Sequence, residues 1–287
     1  MTSPTDHRIA IVGAGVMGTG IAALALGHGI PVVLVDIDDT TLETARDRIR
    51  QQLRHAQLMG ALPPEVGQGE LTTTAEIAEV GPTTAVIEAV TESAGTKAKV
   101  FAELSAVMRP GVPLISNTSG IPIAEMAGWT ARPEQLVGTH FMNPSYLIRM
   151  VEVSRGPRTA DATVDAVVAL LTALGRRAVL VGDAAGFVTS RLLHPMINAA
   201  ARIVEQRTAT VEAVDELMEG CLGHPTGPLR TADLIGLDNL VDSLAALYKR
   251  TGDQNCKPCD LLLQKVRDGD LGRKTGHGFY EYGKAMS

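Results

Sequence analysis

Two stretches of this sequence carry residues whose types and spacing could do chemistry. The first is GTHFMNP, residues 138–144, where the imidazole of His140 stands among small and apolar neighbours. Neutral imidazole is well matched to taking a proton near pH 7, although a histidine that merely fits an apolar surrounding would satisfy the same seven letters. The second is IVGAGVMGTGI, residues 11–21, which sets Gly13, Gly15 and Gly18 in GxGxxG spacing. Between a strand and a helix this spacing suits a dinucleotide pyrophosphate. The first glycine allows the tight turn, the second lets backbone approach the phosphates, and the third lets helix and strand pack closely. Val16 and Met17 lie inside the same turn. An acid at the end of the following strand, Asp36 in VVLVDID, would accept hydrogen bonds from the adenosine ribose and repel a 2′-phosphate, which favours NAD over NADP. Asp38 competes for that role and is also suited to capping the next helix.

The elements that must position these groups follow from the apolar pattern. Strands are expected at 8–13, 31–38, 84–90 and 112–119, with helices at 17–29, 40–59 and 96–108. Strands separated by helices of that length form a parallel sheet covered on both faces. The runs LVGTHF (136–141), RMVEV (149–153) and RAVLVG (177–182), with a helix over 161–174, extend it. After Gly186 only helix-period segments appear: FVTSRLLHPMINAAARIVEQ, TVEAVDELMEGCL, DNLVDSLAALYKR and CDLLLQKVRDG. The reading is therefore an α/β chain. A Rossmann-type N-terminal domain with a mainly parallel sheet (1–186) is followed by an all-helical C-terminal domain (187–287) for substrate and dimerisation. Four helices cannot easily bury all their own apolar faces, so a homodimer is expected, with the ligand cleft between the domains.

Bulk properties narrow the function classes. A net charge of −6 argues against nucleic-acid binding, which needs a basic surface. No apolar run has the length of a membrane span, and the start, MTSPTDHR, lacks the form of a secretion leader. Three cysteines are too few for a disulfide framework, so a cytoplasmic protein is expected. Cys256 and Cys259 form a lone CxxC, and with no second pair or nearby histidine no metal is expected.

In order along the chain, the glycine loop, SNTSG (116–120), GTHFMNP, RMVEV, GFVTSR (186–191), GHPTGPLRTADLIGLD (223–238) and LGRKTGHGFYEY (271–282) resemble the 3-hydroxyacyl-CoA dehydrogenases over nearly the whole chain. The nearest likeness is to the bacterial, single-function 3-hydroxybutyryl-CoA dehydrogenases. The resemblance implies NAD-dependent, reversible oxidation of the 3-hydroxyl of an acyl thioester, of the L (S) isomer. It implies His140 as the base, Glu152 as the carboxylate that orients it, and Ser119 as the contact to the reacting oxygen. Glu92 and Lys97, on the loop after VIEAV, match positions that contact the nicotinamide half of the cofactor, and Lys274 matches a further cofactor contact. Asn117 and Asn143 match motif asparagines that hold loops near cofactor and substrate. The chemistry agrees: a secondary alcohol gives up hydride readily only if its proton also leaves, and a carboxylate behind the imidazole fixes its tautomer. Three alternatives stand beside these roles. Glu152 as a surface acid on an edge strand, Ser119 as a cap for a helix near 122, and Lys97 as a solvated helix lysine are each compatible with the sequence.

The chain departs from the family pattern twice. Where the family's GFxxNR carries an asparagine, GFVTSR places Ser190, whose hydroxyl is shorter and lacks the amide's paired geometry. Where many members carry a lysine-rich helix tip for the CoA phosphates, this chain reads RIRQQLRHAQLMGALPP (48–64), with Arg48, Arg50 and Arg54 followed by an apolar tip. Arg54 is the expected substrate contact there. An arginine-bearing face would also suit the acidic helix of an acyl carrier protein, so the same oxidation of a carrier-bound group such as glyceryl is the alternative. A non-catalytic NAD-binding protein is a second. The related 3-hydroxyisobutyrate and 6-phosphogluconate dehydrogenases use a lysine base in place of the histidine–glutamate pair.

Overall fold

A parallel strand must be followed by a crossover that carries the chain back across the sheet, and the first half of this sequence supplies one after nearly every apolar run. The computed structural model describes residues 7–64 and 66–283, and its contacts divide the chain into Met1–Phe187 and Val188–Ser287. In the first unit the order is β1 (Ile9–Val12), α1 (Val16–Gly27), β2 (Val32–Val35), α2 (Asp39–Leu58), β3 (Leu71–Thr74) and β4 (Ala85–Glu88). It continues with α3 (Ala94–Val107), β5 (Leu114–Asn117), α4 (Ile123–Met126), β6 (Leu136–His140), β7 (Met150–Arg155), α5 (Asp161–Ala173) and β8 (Arg177–Gly182). The strands lie in the order β3-β2-β1-β4-β5-β6-β7-β8. All neighbours are parallel except β6 and β7, which are antiparallel.

Alternation along β1 shows how the sheet is sandwiched. Ile9 and Ile11 pack with residues of α1, α2 and α5 on one face. Ala10 and Val12 pack with Phe101, Leu104 and Ile123 of α3 and α4 on the other. Each of the larger apolar side chains here, the isoleucines, valine, leucine and phenylalanine, contributes about 1.5–3 kcal/mol when fully buried. The strand order reverses between β1 and β4, and ligands of open α/β sheets bind outside the carboxyl ends of the strands at that point. Both the glycine loop, after β1, and the segment 89–93, after β4, stand there.

The second unit is helical: α6 (Thr189–Glu205), α7 (Val211–Leu222), α8 (Pro228–Ile235), α9 (Leu237–Thr251) and α10 (Asp260–Asp268). Two elements escaped the sequence reading. The polar strand LTTT of β3 carries almost no apolar signal because it lies at the sheet edge, with none of its residues fully buried. Helix α8 is short, and its N-terminus is held by a distant side chain: buried Asp215 of α7 accepts the N–H groups of Leu229 and Arg230, both at 2.9 Å. Cys256 and Cys259 are both buried, and among the described residues no three metal-binding side chains converge. No helix among those residues is long and apolar enough to cross a membrane.

Candidate functional site

The three glycines of the loop have separable physical reasons. Gly13 has a φ of +106°, and a Cβ there would lie 2.6 Å from the Ala89 carbonyl oxygen. A Cβ on Gly18 would lie 1.8 Å from the Gly13 carbonyl oxygen. At Gly15 a Cβ would meet nothing, so the backbone faces open space at the start of α1, with Val16 exposed beside it and Met17 half-buried. An open, glycine-lined helix N-terminus of this kind fits a pyrophosphate. The carboxylates of strand two are also told apart. Asp38 caps α2, accepting from the Thr40 and Thr41 N–H groups, both at 3.2 Å. Asp36 instead meets the glycine loop, accepting from the Ala14 N–H at 2.8 Å. Only Asp36 is placed beside the loop as a ribose acceptor must be.

Beyond β4 a second cluster forms around Glu92. One of its oxygens accepts from the Thr118 hydroxyl and from the Ser119 and Gly120 N–H groups, the last two both at 3.1 Å. The other lies 3.2 Å from the Lys97 ammonium. Lys97 sits in the first turn of α3, not on a loop, and its side chain has no exposed surface. Its ammonium lies between the carboxylates of Glu88 and Glu92. Lys97 is not a solvated lysine. It donates to both oxygens of Glu88, at 2.7 and 2.8 Å. Glu88 went unremarked in the sequence, where an acid inside the apolar run TAVIEAV was the available signal. Ser119 is half-buried and caps no helix: the N–H of Ile121 is met by the Thr118 hydroxyl, at 3.1 Å, and α4 begins after Pro122. The same turn is held from its far side by Asp183, which accepts from the Ile123 and Ala124 N–H groups, both at 2.7 Å.

His140 closes β6 and lies directly opposite Glu152 of β7 in the antiparallel register. Its Nδ1 is 2.9 Å from Glu152 Oε2, and both residues are buried. A carboxylate can only accept, so the pairing assigns the proton to Nδ1 and the basic lone pair to Nε2. β7 is flanked by β6 and β8, so Glu152 is no edge-strand surface acid. Asn117 Oδ1 accepts the Phe141 N–H at 3.1 Å, which ties the end of β5, and thus the Ser119 turn, to the end of β6. Phe187 packs against the imidazole with ring centroids 6.3 Å apart, and its φ of +45° is unusual for a bulky residue. The motif GFVTSR contained that phenylalanine, yet nothing in its spacing marked it as a neighbour of His140.

The remaining expected residues are dispersed. Asn143 is exposed in the loop after His140, before a cis Pro144. Arg54 is exposed on α2 near a tip whose Leu58 and Met59 are also exposed, while Arg50 is paired with Asp47. In the helical unit Ser190 is buried in the first turn of α6, and Lys274 is paired with Asp238.

Comparison with known proteins shows what this arrangement is similar to. Residues 8–184 match the family model "3-hydroxyacyl-CoA dehydrogenase, NAD binding domain", and residues 186–282 match "3-hydroxyacyl-CoA dehydrogenase, C-terminal domain". A protein of Bacillus subtilis named "Probable 3-hydroxybutyryl-CoA dehydrogenase" is 39% identical over 283 residues, covering 98% of this chain and 99% of its own. Among solved structures, FadB2 of Mycobacterium tuberculosis superposes with a TM-score of 0.91 at 36% identity, over 96% of this chain and 99% of its own. The (S)-3-hydroxybutyryl-CoA dehydrogenase of Ralstonia eutropha gives 0.87 at 35%, over 97% and 99%.

The Glu92 cluster has a measurable signature. Burial alone would push the Glu92 carboxyl up, but the charge of Lys97 and the donors from Thr118, Lys97 and Gly120 together hold it below its ordinary value. The unfolded chain then binds that proton more readily. The stability Glu92 contributes is complete above its unfolded value, about 4.3, and is lost as the pH falls through the lower folded value. The midpoint of thermal unfolding, followed by circular dichroism, should drop more steeply between about pH 5 and pH 3 in the wild type than in Glu92→Gln. Parallel slopes would contradict this account of the cluster.

Proposed function

The chain belongs to the 3-hydroxyacyl-CoA dehydrogenase family, and from that premise we propose that it reversibly oxidises the 3-hydroxyl of a 3-hydroxyacyl-CoA of the 3-hydroxybutyryl type. The observation that carries this reading is the His140–Glu152 contact at 2.9 Å, an imidazole held in one tautomer by a buried carboxylate. His140 takes the hydroxyl proton on Nε2, and Glu152 steadies the imidazolium that forms. Ser119, on the turn gripped by Glu92, donates to the reacting oxygen. NAD, when bound, accepts the hydride. The glycine loop, with Val16 and Met17, and Asp36 would hold its adenosine and pyrophosphate half, with Glu92 at the other end and Lys274 as a further contact. Asn117 and Asn143 keep the loops in place around it, and Arg54 meets the thioester's carrier.

Ser190 takes the place of the family's asparagine, with a shorter hydroxyl in place of the amide's paired donor and acceptor. The helical unit leaves Leu192, Leu217, Leu222 and Leu234 exposed, and a second copy of the chain is the partner that would cover them. Compartment follows from this reading as that of a metabolic enzyme working in the cytoplasm.

Three outcomes are expected. With NAD and 3-hydroxybutyryl-CoA the protein should form reduced nicotinamide, read by absorbance, and His140→Gln should lower kcat by about 10³-fold while NAD affinity, by calorimetry, stays nearly the same. If the protein instead turns over only carrier-protein-bound hydroxyacyl or glyceryl groups, the substrate assignment passes to the carrier. If it oxidises no hydroxyacyl thioester of either kind, the reading fails. Ser190→Asn should raise kcat/KM on 3-hydroxybutyryl-CoA by about fivefold, the worth of one hydrogen bond, and a loss of activity would mean the serine suits its substrate better. Light scattering behind a sizing column should give twice the 30.2 kDa of one chain, whereas a single-chain mass would rule out the dimer.

A further inference from the structure

Glu88 ends β4 with its carboxylate fully enclosed, following Ala85, Val86 and Ile87, which are all buried and apolar. An acid in that row has a cost. Taking a carboxylate and an ammonium out of water is seldom better than apolar packing, so the fully enclosed Glu88–Lys97 pair calls for a reason beyond stability. The geometry supplies one. Besides the Lys97 ammonium on both oxygens, Glu88 accepts from the Ser116 hydroxyl at 2.6 Å and from the Val90 N–H at 2.8 Å. It thereby joins the ends of β4 and β5 to the first turn of α3. Lys97 is the side chain that contacts both this anchor and Glu92, and Glu92 gathers the Thr118 hydroxyl and the Ser119 and Gly120 N–H groups.

We propose that Glu88 is a positioning residue for the oxidation, acting through Lys97 and Glu92 to hold the turn that presents the Ser119 hydroxyl. The inference rests on the role given to Ser119 above. Glu88 touches neither substrate nor cofactor. With Glu88 ionised, Lys97 is fixed at close range and meets Glu92 at the longer distance, so Glu92 keeps its other oxygen for the three donors of the turn. In Glu88→Gln the shape persists and the amide oxygen can still accept from Val90. Its NH₂ group, however, faces the ammonium donor to donor. Lys97 then shifts toward Glu92, the carboxylate rotates with it, and the turn loses its common acceptor.

The test is a double-mutant cycle with hydrogen–deuterium exchange. Glu88→Gln should lower kcat on 3-hydroxybutyryl-CoA about tenfold, with the thioester KM and NAD affinity within about twofold; in a Ser119→Ala background the same change should cost less than about twofold, because coupled residues are not additive. Amide exchange at Ser119 and Gly120 should be faster in Glu88→Gln by about tenfold, while β1 keeps its protection. An equal loss of kcat in both backgrounds, or unchanged exchange at those two amides, would overturn the proposal. Should Glu88→Gln fold poorly, the pair Glu88→Gln with Lys97→Met removes the donor clash. It should restore folding yet leave the two amides unprotected, and full protection in that pair would equally refute the role. Exchange needs no turnover. Wild-type protein that oxidises no thioester but shows the exchange effect would sink the functional reading and leave the positioning network standing.

Discussion

One reversal of strand direction makes the site possible. From β3 through β6 every neighbour in the sheet is parallel, and then β7 turns back against β6. Residues directly opposed in an antiparallel pair hold their Cβ atoms about 4.5–5.5 Å apart on one face, which is the separation an imidazole and a glutamate need to touch. His140 and Glu152 are such a pair. Had β7 entered in the parallel sense it would have required a crossover of its own, whereas the short antiparallel return brings Glu152 back opposite His140 within twelve residues. The chemistry also depends on the face: Thr139 and Val153, one step along, are buried on the opposite side of the sheet. A one-residue slip would exchange base for packing.

A second regularity is the use of single carboxylates as collecting points for loop N–H groups. Glu92 does this for the Ser119 turn, and Asp183 for the start of α4. In the helical unit Asp233 accepts from the Phe279 and Tyr280 N–H groups at 2.8 and 2.9 Å, strapping the segment GFYEY in place. Asp215 caps α8 and takes the Tyr280 hydroxyl at 2.9 Å; burial first, and this carboxylate second, push the Tyr280 phenol upward. Charged hydrogen bonds are stronger than neutral ones, so single acids can order loops that have little apolar surface of their own. At two of these four the carboxylate packs so closely against the chain that only glycine fits. A Cβ on Gly278 would lie 2.1 Å from Asp233 Oδ1, and one on Gly227 would lie 2.1 Å from the Asp215 carboxyl carbon.

Much of this was legible in the letters. The glycine loop, the acid at the end of β2 and the alternation of strand and helix are local patterns, and each was readable because a local physical rule governs it. The change of character after Gly186 was readable for the same reason. Strand β3 was not, since an edge strand of threonines has no apolar face to show. Lys97 was misplaced because helix entry after Ser93 leaves it one turn inside α3, with its ammonium drawn into the protein by Glu88.

By itself the sequence determined which residue types stand at the ends of which strands, because periodicity and turn chemistry act over a few neighbours. It also determined the family, since motifs in a consistent order persist without reference to their contacts. Only the tertiary structure decided that Asp38 is a cap while Asp36 meets the glycine loop, and that Lys97 serves two carboxylates. Only the structure, likewise, showed that Glu152 faces His140 across two strands. Apart from the Asp38 cap, which is local, those outcomes depend on side chains from different elements meeting in the fold, where a lower dielectric than water strengthens each hydrogen bond.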